Sequence, residues 1–285
     1  MSQPATDYTT DELIATCIAR QVTDGDILAQ GIATPLVMAG YLLAKRTHAP
    51  NVTFASAIGN ALVDCAEIGP LRLTRIEELW LGHARLTFGF CQAACELLPR
   101  FQPKEFLRPA QVDPAGNFNN VVIGSDYHRP RMRLPGCGGI ADITVYYDHL
   151  YLYVPRHSRA VFVERIDFLS GIGIHTRSHT ARRRSAGLCY LVSDLGQFDF
   201  APGRMRLVTH HPGVSVERIQ AKTGFPIEIS PDLHPTPPPT EEQVRLLREE
   251  IDPLGIRRLE TLRGTARKRA LREILAAEDS NEVRE

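Results

Sequence analysis

Residues 26–56 read as strand, turn, helix and strand, and that order leaves few folds open to the chain. The apolar run 26–30 is short enough for a strand, and the chain turns out of it at Gly31. Thr34 then stands as an N-cap ahead of Pro35, whose fixed φ and missing N–H suit the first position of a helix continuing to about residue 46. Residues 52–56 return as a strand. A βαβ unit of this kind belongs to an open α/β sheet, and such sheets gather their sites just beyond the carboxyl ends of the strands. Gly31 and Ala57 both lie there.

A first helix precedes this unit. Thr9 and Glu12 have capping-box spacing, and Leu13, Ile14, Cys17, Ile18 and Val22 recur on one helical face. Beyond Gly69 the pattern loosens, with helices expected at 75–82 and 91–97. The second half is richer in strands, expected at 143–154, 160–163, 188–193 and 205–209, where β-branched and aromatic residues concentrate. Tyr146, Tyr147, Tyr151 and Tyr153 fall in the first of these. They read as strand formers rather than a base-stacking platform, because no basic groove interleaves with them. The proline-rich stretch 231–239 reads as a stiff connector, with no domain boundary of consequence, delivering Thr240 as the N-cap of a helix over 241–250. Three glycines among residues 136–139 bring the backbone close to a ligand, or make only a tight turn between strands. The residues alone leave both readings open.

The segment from Ser125 to Pro130, followed by Leu134-Pro135-Gly136-Cys137-Gly138-Gly139-Ile140-Ala141-Asp142, resembles a signature of the B subunits of family I CoA-transferases. Residues 8–50, 110–117, 162–167 and 192–198 continue the resemblance, as do His211-Pro212-Gly213 and Ile251-Asp252-Pro253, all in the family's order. By pattern the chain is most similar to glutaconate CoA-transferase B subunits and to the B subunits of steroid-ring-opening CoA-thioester hydrolases. The resemblance implies an α/β fold with an open sheet of the NagB/RpiA-like type. It implies a separately encoded A subunit as partner, in a heterodimer or heterotetramer, and an active site between the two chains. An acyl-CoA thioester is then the substrate, with no bound cofactor.

One departure bears on mechanism. In transferases of this type the strand after the second helix ends at a glutamate that attacks the thioester carbonyl. Here Ala57 stands in its place, and a methyl group forms neither an acyl anhydride nor a glutamyl thioester. Asp64 and Glu67 are the nearest replacements, and read as ordinary surface or capping carboxylates. The resemblance assigns Gly138 and Gly139 to a loop whose backbone N–H groups stabilise an oxyanion. It places Ser56, Gly59 and Gly136 at the substrate and CoA site, where Asn117 is expected to organise the site and Asp142 to anchor the loop. The A subunit supplies much of the CoA-binding surface. Hydrolytic or retro-Claisen ring opening in steroid or cyclic-compound catabolism is the first expectation. Transfer of CoA between carboxylic acids is the second, and a non-catalytic structural subunit the third.

Composition excludes other classes. With 33 basic and 33 acidic residues the chain presents no net field to nucleic acid or an anionic membrane, and 43% hydrophobic content is ordinary for a globular protein. No apolar run approaches the roughly 20 residues of a membrane span, and the polar start lacks the features of a signal peptide, so a cytoplasmic location is expected. The six cysteines read as reduced, mostly buried thiols. Cys91 with Cys95, and His175 with His179, have helical spacing without the second close pair that zinc requires. His157, His210 and His211 read as strand-end or loop residues. Arg177, Arg182, Arg183 and Arg184 form a basic loop suited to solvent, CoA phosphates or an acidic partner. The apolar stretch 79–90, with Trp80, exceeds what one small surface should expose, which points to obligate association. The organisation expected is a B-subunit-like domain over 1–256 and a charged helical extension over 257–285.

Overall fold

The computed structural model describes residues 3–31, 34–56, 61–64, 69–75, 82–174, 187–201 and 203–282. It divides into two compact units, one formed by Met1–Leu98 with Pro237–Glu285 and the other by Pro99–Thr236.

In the first unit, helix α1 (Thr10–Ala19) starts where Glu12 Oε2 accepts the Thr9 N–H at 2.8 Å, the reach-back that the Thr9–Glu12 spacing predicts. Helix α2 (Pro35–Thr47) packs on it closely. A Cβ at Gly40 would come within 2.8 Å of the Ala15 carbonyl and 2.7 Å of Ile18, so the approach requires glycine. Strand β1 (Ile27–Ala29) pairs in parallel with β2 (Thr53–Ser56) through α2, giving the expected βαβ unit. Strands β3 (Ala61–Val63) and β4 (Leu86–Thr87) extend that sheet antiparallel. Thr34 occupies the α2 N-cap, yet its hydroxyl makes no capping bond; Glu260 Oε1 accepts the Leu36 N–H instead, at 3.0 Å.

Glu260 belongs to the C-terminal segment, which is built into this unit. The boundary read at 256/257 falls inside it. Arg257, 3% exposed, lies 2.9 Å from each of Asp11, Glu12 and Asp252. Along the terminal helix Gly264–Glu282, Ile274 is buried and Glu278 accepts from the Thr74 N–H at 3.0 Å, the Thr74 hydroxyl at 2.6 Å and the Leu73 N–H.

The second unit is built on strands β5 (Lys104–Leu107), β6 (Gln111–Val112), β7 (Phe118–Asn119), β8 (Val122–Ile123), β9 (Met132–Arg133), β10 (Leu150–Val154), β11 (Leu188–Ser193), β12 (Gly196–Asp199), β13 (Arg206–His210) and β14 (Glu228–Pro235). Its main sheet runs β5–β10–β11–β12–β13–β14, parallel at β5–β10–β11 and β13–β14 and antiparallel between; β6–β7 and β8–β9 are separate hairpins. Val112, Phe118, Leu152, Phe162, Leu191 and Phe198 centre its core.

Several expectations are corrected here. Residues 143–154 are not one strand: Gly139, at φ +75°, starts the helix Ile140–Tyr146, and only Leu150–Val154 is extended. Residues 160–163 form a turn, with the Val161 and Phe162 N–H groups both on the Ser158 carbonyl at 2.9 Å and a single bridge from Phe162 to Val112. The proline-rich connector begins as β14, and the chain passes between the units at 236/237; prolines are tolerated there because β14 is an edge strand. The thiols are not mostly buried: Cys17 is, but Cys91 and Cys95 are exposed and Cys137 and Cys189 half-buried, all five free. His157 and His211 do lie in loops, as expected, and both are buried and fully engaged, His157 with Ser193 Oγ and Thr223 Oγ1 at 3.1 and 2.9 Å, and His211 with Thr236 Oγ1 and the Ser193 carbonyl at 2.9 and 2.8 Å. Cys65, Trp80, His175, His179, most of the stretch 75–82 expected to be helical and the 177–184 arginines lie outside the described residues. Among the described residues no helix is long and apolar enough to cross a membrane, and no three His, Cys, Asp or Glu side chains are grouped to hold a metal.

Candidate functional site

The glycine loop hangs from the β8–β9 hairpin by its backbone. The Leu134 N–H donates to the Val121 carbonyl and the Gly136 N–H to the Asn120 carbonyl, both at 3.0 Å, and the Ile140 N–H closes the loop on the Cys137 carbonyl at 2.8 Å. Gly136 at φ +113° and Gly139 at φ +75° occupy the left-handed region, where a side chain would be strained. Gly138 differs. Its φ demands no glycine, and a Cβ there would meet nothing within 4 Å. Among the described residues neither the Gly138 nor the Gly139 N–H has a hydrogen-bond partner, which leaves two adjacent donors uncommitted.

Beneath the loop lies a network of amides that sequence reasoning did not single out. Asn119, fully buried, donates to Gln111 Oε1 at 2.7 Å, and Gln111 Nε2 donates to Asp167 Oδ2 at 3.0 Å. The same Asp167 oxygen accepts the Gly124 N–H at 2.9 Å, while Asn120 receives the Ala110 N–H on Oδ1 and gives its own N–H to Ser170 Oγ. These bonds fix the Asn120 backbone from which Gly136 is suspended. The one sequence signal is the density of amide side chains, Gln111, Asn117, Asn119 and Asn120, in a short stretch.

Asn117 is committed to the turn below β6. Its Nδ2 donates to Asp113 Oδ2 and its Oδ1 accepts the Gly173 N–H, each at 3.0 Å. Burial pushes the Asp113 carboxyl above its usual range, against the hydrogen bonds from Asn117. Asp142 is exposed in the first turn of its helix and makes no hydrogen bond or ion pair among the described residues; the loop is held by the backbone bonds above.

Ser56, in the first unit, ends β2 opposite Ala61 of β3. Ala57, Gly59 and Glu67 lie outside the described residues. Asp64 pairs with Arg85 at 2.5 Å on the surface.

Next to the loop in sequence, the hairpin carries Arg129 and Arg131 exposed, with Arg133 over the Tyr127 ring at 4.4 Å and Tyr127 stacked on Phe168 at 5.7 Å. A loop with two unpaired N–H donors can stabilise an oxygen gaining negative charge.

Residues 12–222 match the family described as Coenzyme A transferase. The B subunit of glutaconate CoA-transferase from Acidaminococcus fermentans is 30% identical over 264 residues, covering 87% of this chain and 94% of its own. The cholesterol ring-cleaving hydrolase IpdB subunit of Mycobacterium tuberculosis is 28% identical over 249 residues, covering 86% and 96%. Among solved structures, the decarboxylase AibA/AibB superposes with a TM-score of 0.75 at 30% identity, covering 88% of this chain and 98% of that one.

Proposed function

Because the chain belongs to the coenzyme A transferase family, we propose that it works as the B subunit of a pair with an A subunit and opens a ring hydrolytically on an acyl-CoA thioester. Ala57 carries this reading. Without a carboxylate at that position the covalent transfer route has no nucleophile here, and water takes its place. In a retro-Claisen step water adds to a ring ketone β to the thioester. The bond from that carbon to the α-carbon breaks, its electron pair is held as the thioester enolate, and the α-carbon then takes a proton. The thioester survives and one water is gained. In this reading the uncommitted N–H groups of Gly138 and Gly139 carry the charge on oxygen, and the base belongs to the A subunit.

Two further observations support the reading. A relative of similar length is a ring-cleaving hydrolase subunit. Within the described part of the apolar 79–90 stretch, Leu86 and Phe90 are about half exposed, as a face awaiting a partner would be. The glutaconate CoA-transferase relative favours a second reading, transfer of CoA between acids with a carboxylate from the partner. Co-expression with the A subunit, followed by incubation with a cyclic β-ketoacyl-CoA, separates the two. Ring opening adds the mass of one water and leaves the thioester intact, whereas transfer requires an acceptor acid and moves the CoA.

A further inference from the structure

We propose that Gln30 is a positioning residue for the attacking water, with Thr34 near it in sequence as a second contact; this rests on the hydrolytic reading above. Gln30 follows β1 directly, and its N–H donates to the Ala55 carbonyl at 3.1 Å, continuing the parallel ladder. The β1–β2 register sets Ala29 opposite Ala55, so Gln30 stands level with Ser56, the residue before Ala57. The residue is only 4% exposed, yet among the described residues neither its Oε1 nor its Nε2 has a hydrogen-bond partner. A buried carboxamide with both ends unpaired is rare, and points to a ligand or water that completes it.

The Thr34 hydroxyl is in the same condition, buried and unpartnered among the described residues. The cause is visible in the fold: Glu260 has taken the Leu36 N–H that an N-cap threonine would partly serve, leaving the hydroxyl uncommitted. Glu260 also settles the charge of what binds. A carboxylate already occupies the N-terminus of α2, so this strand end is unsuited to a phosphate or a carboxylate and suited to a neutral group that both donates and accepts. Water is such a group. Oε1 accepts one of its protons and orients its lone pair, and Nε2 is left to donate to a neutral carbonyl oxygen.

The test uses the assembled two-subunit enzyme, a cyclic β-ketoacyl-CoA as probe and heavy-oxygen water. Gln30→Met, which fills the same volume without the amide, is expected to lower kcat about 10²-fold with KM within about 2-fold, and to leave the melting temperature unchanged or raised. Thr34→Val is expected to lower kcat about 10-fold. A structural role would give the opposite pattern, a lower melting temperature with kcat preserved. If Gln30→Met fails to assemble, Gln30→Asn keeps the amide but withdraws it by one methylene and is held to the same kcat criterion. A wild-type enzyme that opens the ring, incorporates heavy oxygen and is matched within about 3-fold by these Gln30 variants overturns this inference alone. A wild-type enzyme that opens no ring overturns the hydrolytic reading and this inference with it.

Discussion

Replacing Arg257 should unfold the first unit more readily than any surface change, and the structure sets the size of the effect. The guanidinium is the common partner of Asp11, Glu12 and Asp252, three carboxylates that are themselves buried, and it lies 2.9 Å from each. Glu12 would keep Arg248 at 2.7 Å, and Asp252 would keep the Ile256 and residue-257 backbone N–H groups. Asp11 would keep no charged partner among the described residues. Removing one partner of a buried ion pair typically costs about 3–5 kcal/mol, so Arg257→Met should lose about 4 kcal/mol, a large share of a typical domain's stability. Burial already pushes the Asp252 carboxyl up, against the Arg257 charge and hydrogen bonds. Without Arg257 it rises further, and a raised carboxyl destabilises more as pH rises through it. The deficit should therefore be larger at about pH 8 than at about pH 5. Denaturant unfolding of the assembled enzyme, followed by circular dichroism at both pH values, measures it. A loss below about 1 kcal/mol that does not change with pH would refute the reasoning, as would an unaltered unfolding midpoint after truncation at residue 256.

Burial pushes the Glu105 carboxyl up to about 7, so its penalty is absent below its ordinary range and grows as pH rises towards 7; Glu105→Gln should stabilise by about 3 kcal/mol at pH 8 and only about 1 at pH 5, in denaturant titrations. His157 is held neutral, its pKa lowered to about 3 by burial and then by the Lys222 charge. The unfolded chain takes up a proton near pH 6.5 that the fold refuses, so stability falls as pH drops from there; relative to His157→Gln, wild type should lose about 2 kcal/mol between pH 7 and pH 5. Gly138→Ala should fold within about 0.5 kcal/mol of wild type and yet slow turnover, whereas Gly139→Ala, forced to φ +75°, should cost about 1–2 kcal/mol. Equal turnover in wild type and Gly138→Ala would show that the loop is only a turn.

What is legible in the sequence is local. Strand, Gly31, Thr34, Pro35 and returning strand describe one βαβ unit because each signal acts on its neighbours. Ala57 is legible as a departure from a pattern. The helix at 140–146 is not, since Val145, Tyr146 and Tyr147 favour strands, and only the left-handed Gly139 starts the turn that overrides them. Equally hidden is the role of the C-terminal segment. Glu260 reaches Leu36 across 224 residues and Arg257 reaches Glu12 across 245, and no periodicity in a charged tail announces such partners. Thr34 stands where a cap for α2 belongs and makes no capping bond, for the same reason: a distant carboxylate has taken the N–H. That the Gln30 amide has no partner among the described residues is legible only once its neighbours in the fold have been placed.

These distant contacts bear on what Ala57 means. A transferase must receive an acceptor acid as an anion near its nucleophile, and the end of β1 offers that anion a buried neutral carboxamide and a helix terminus already holding Glu260. Restoring the nucleophile alone should therefore not restore transfer. The assembled Ala57→Glu variant, given an acyl-CoA and an acceptor acid and then treated with borohydride, should show little exchange, because attack also requires the carbonyl to be held in a suitable position. Wild type should show no reducible thioester adduct on residues 51–67 while retaining activity. An adduct on Asp64 or Glu67 would mean that the carboxylate has moved along the chain, and efficient exchange in Ala57→Glu would mean that the strand end accepts anions after all. Either result would return the chain to transfer chemistry and leave Gln30 without a water to hold.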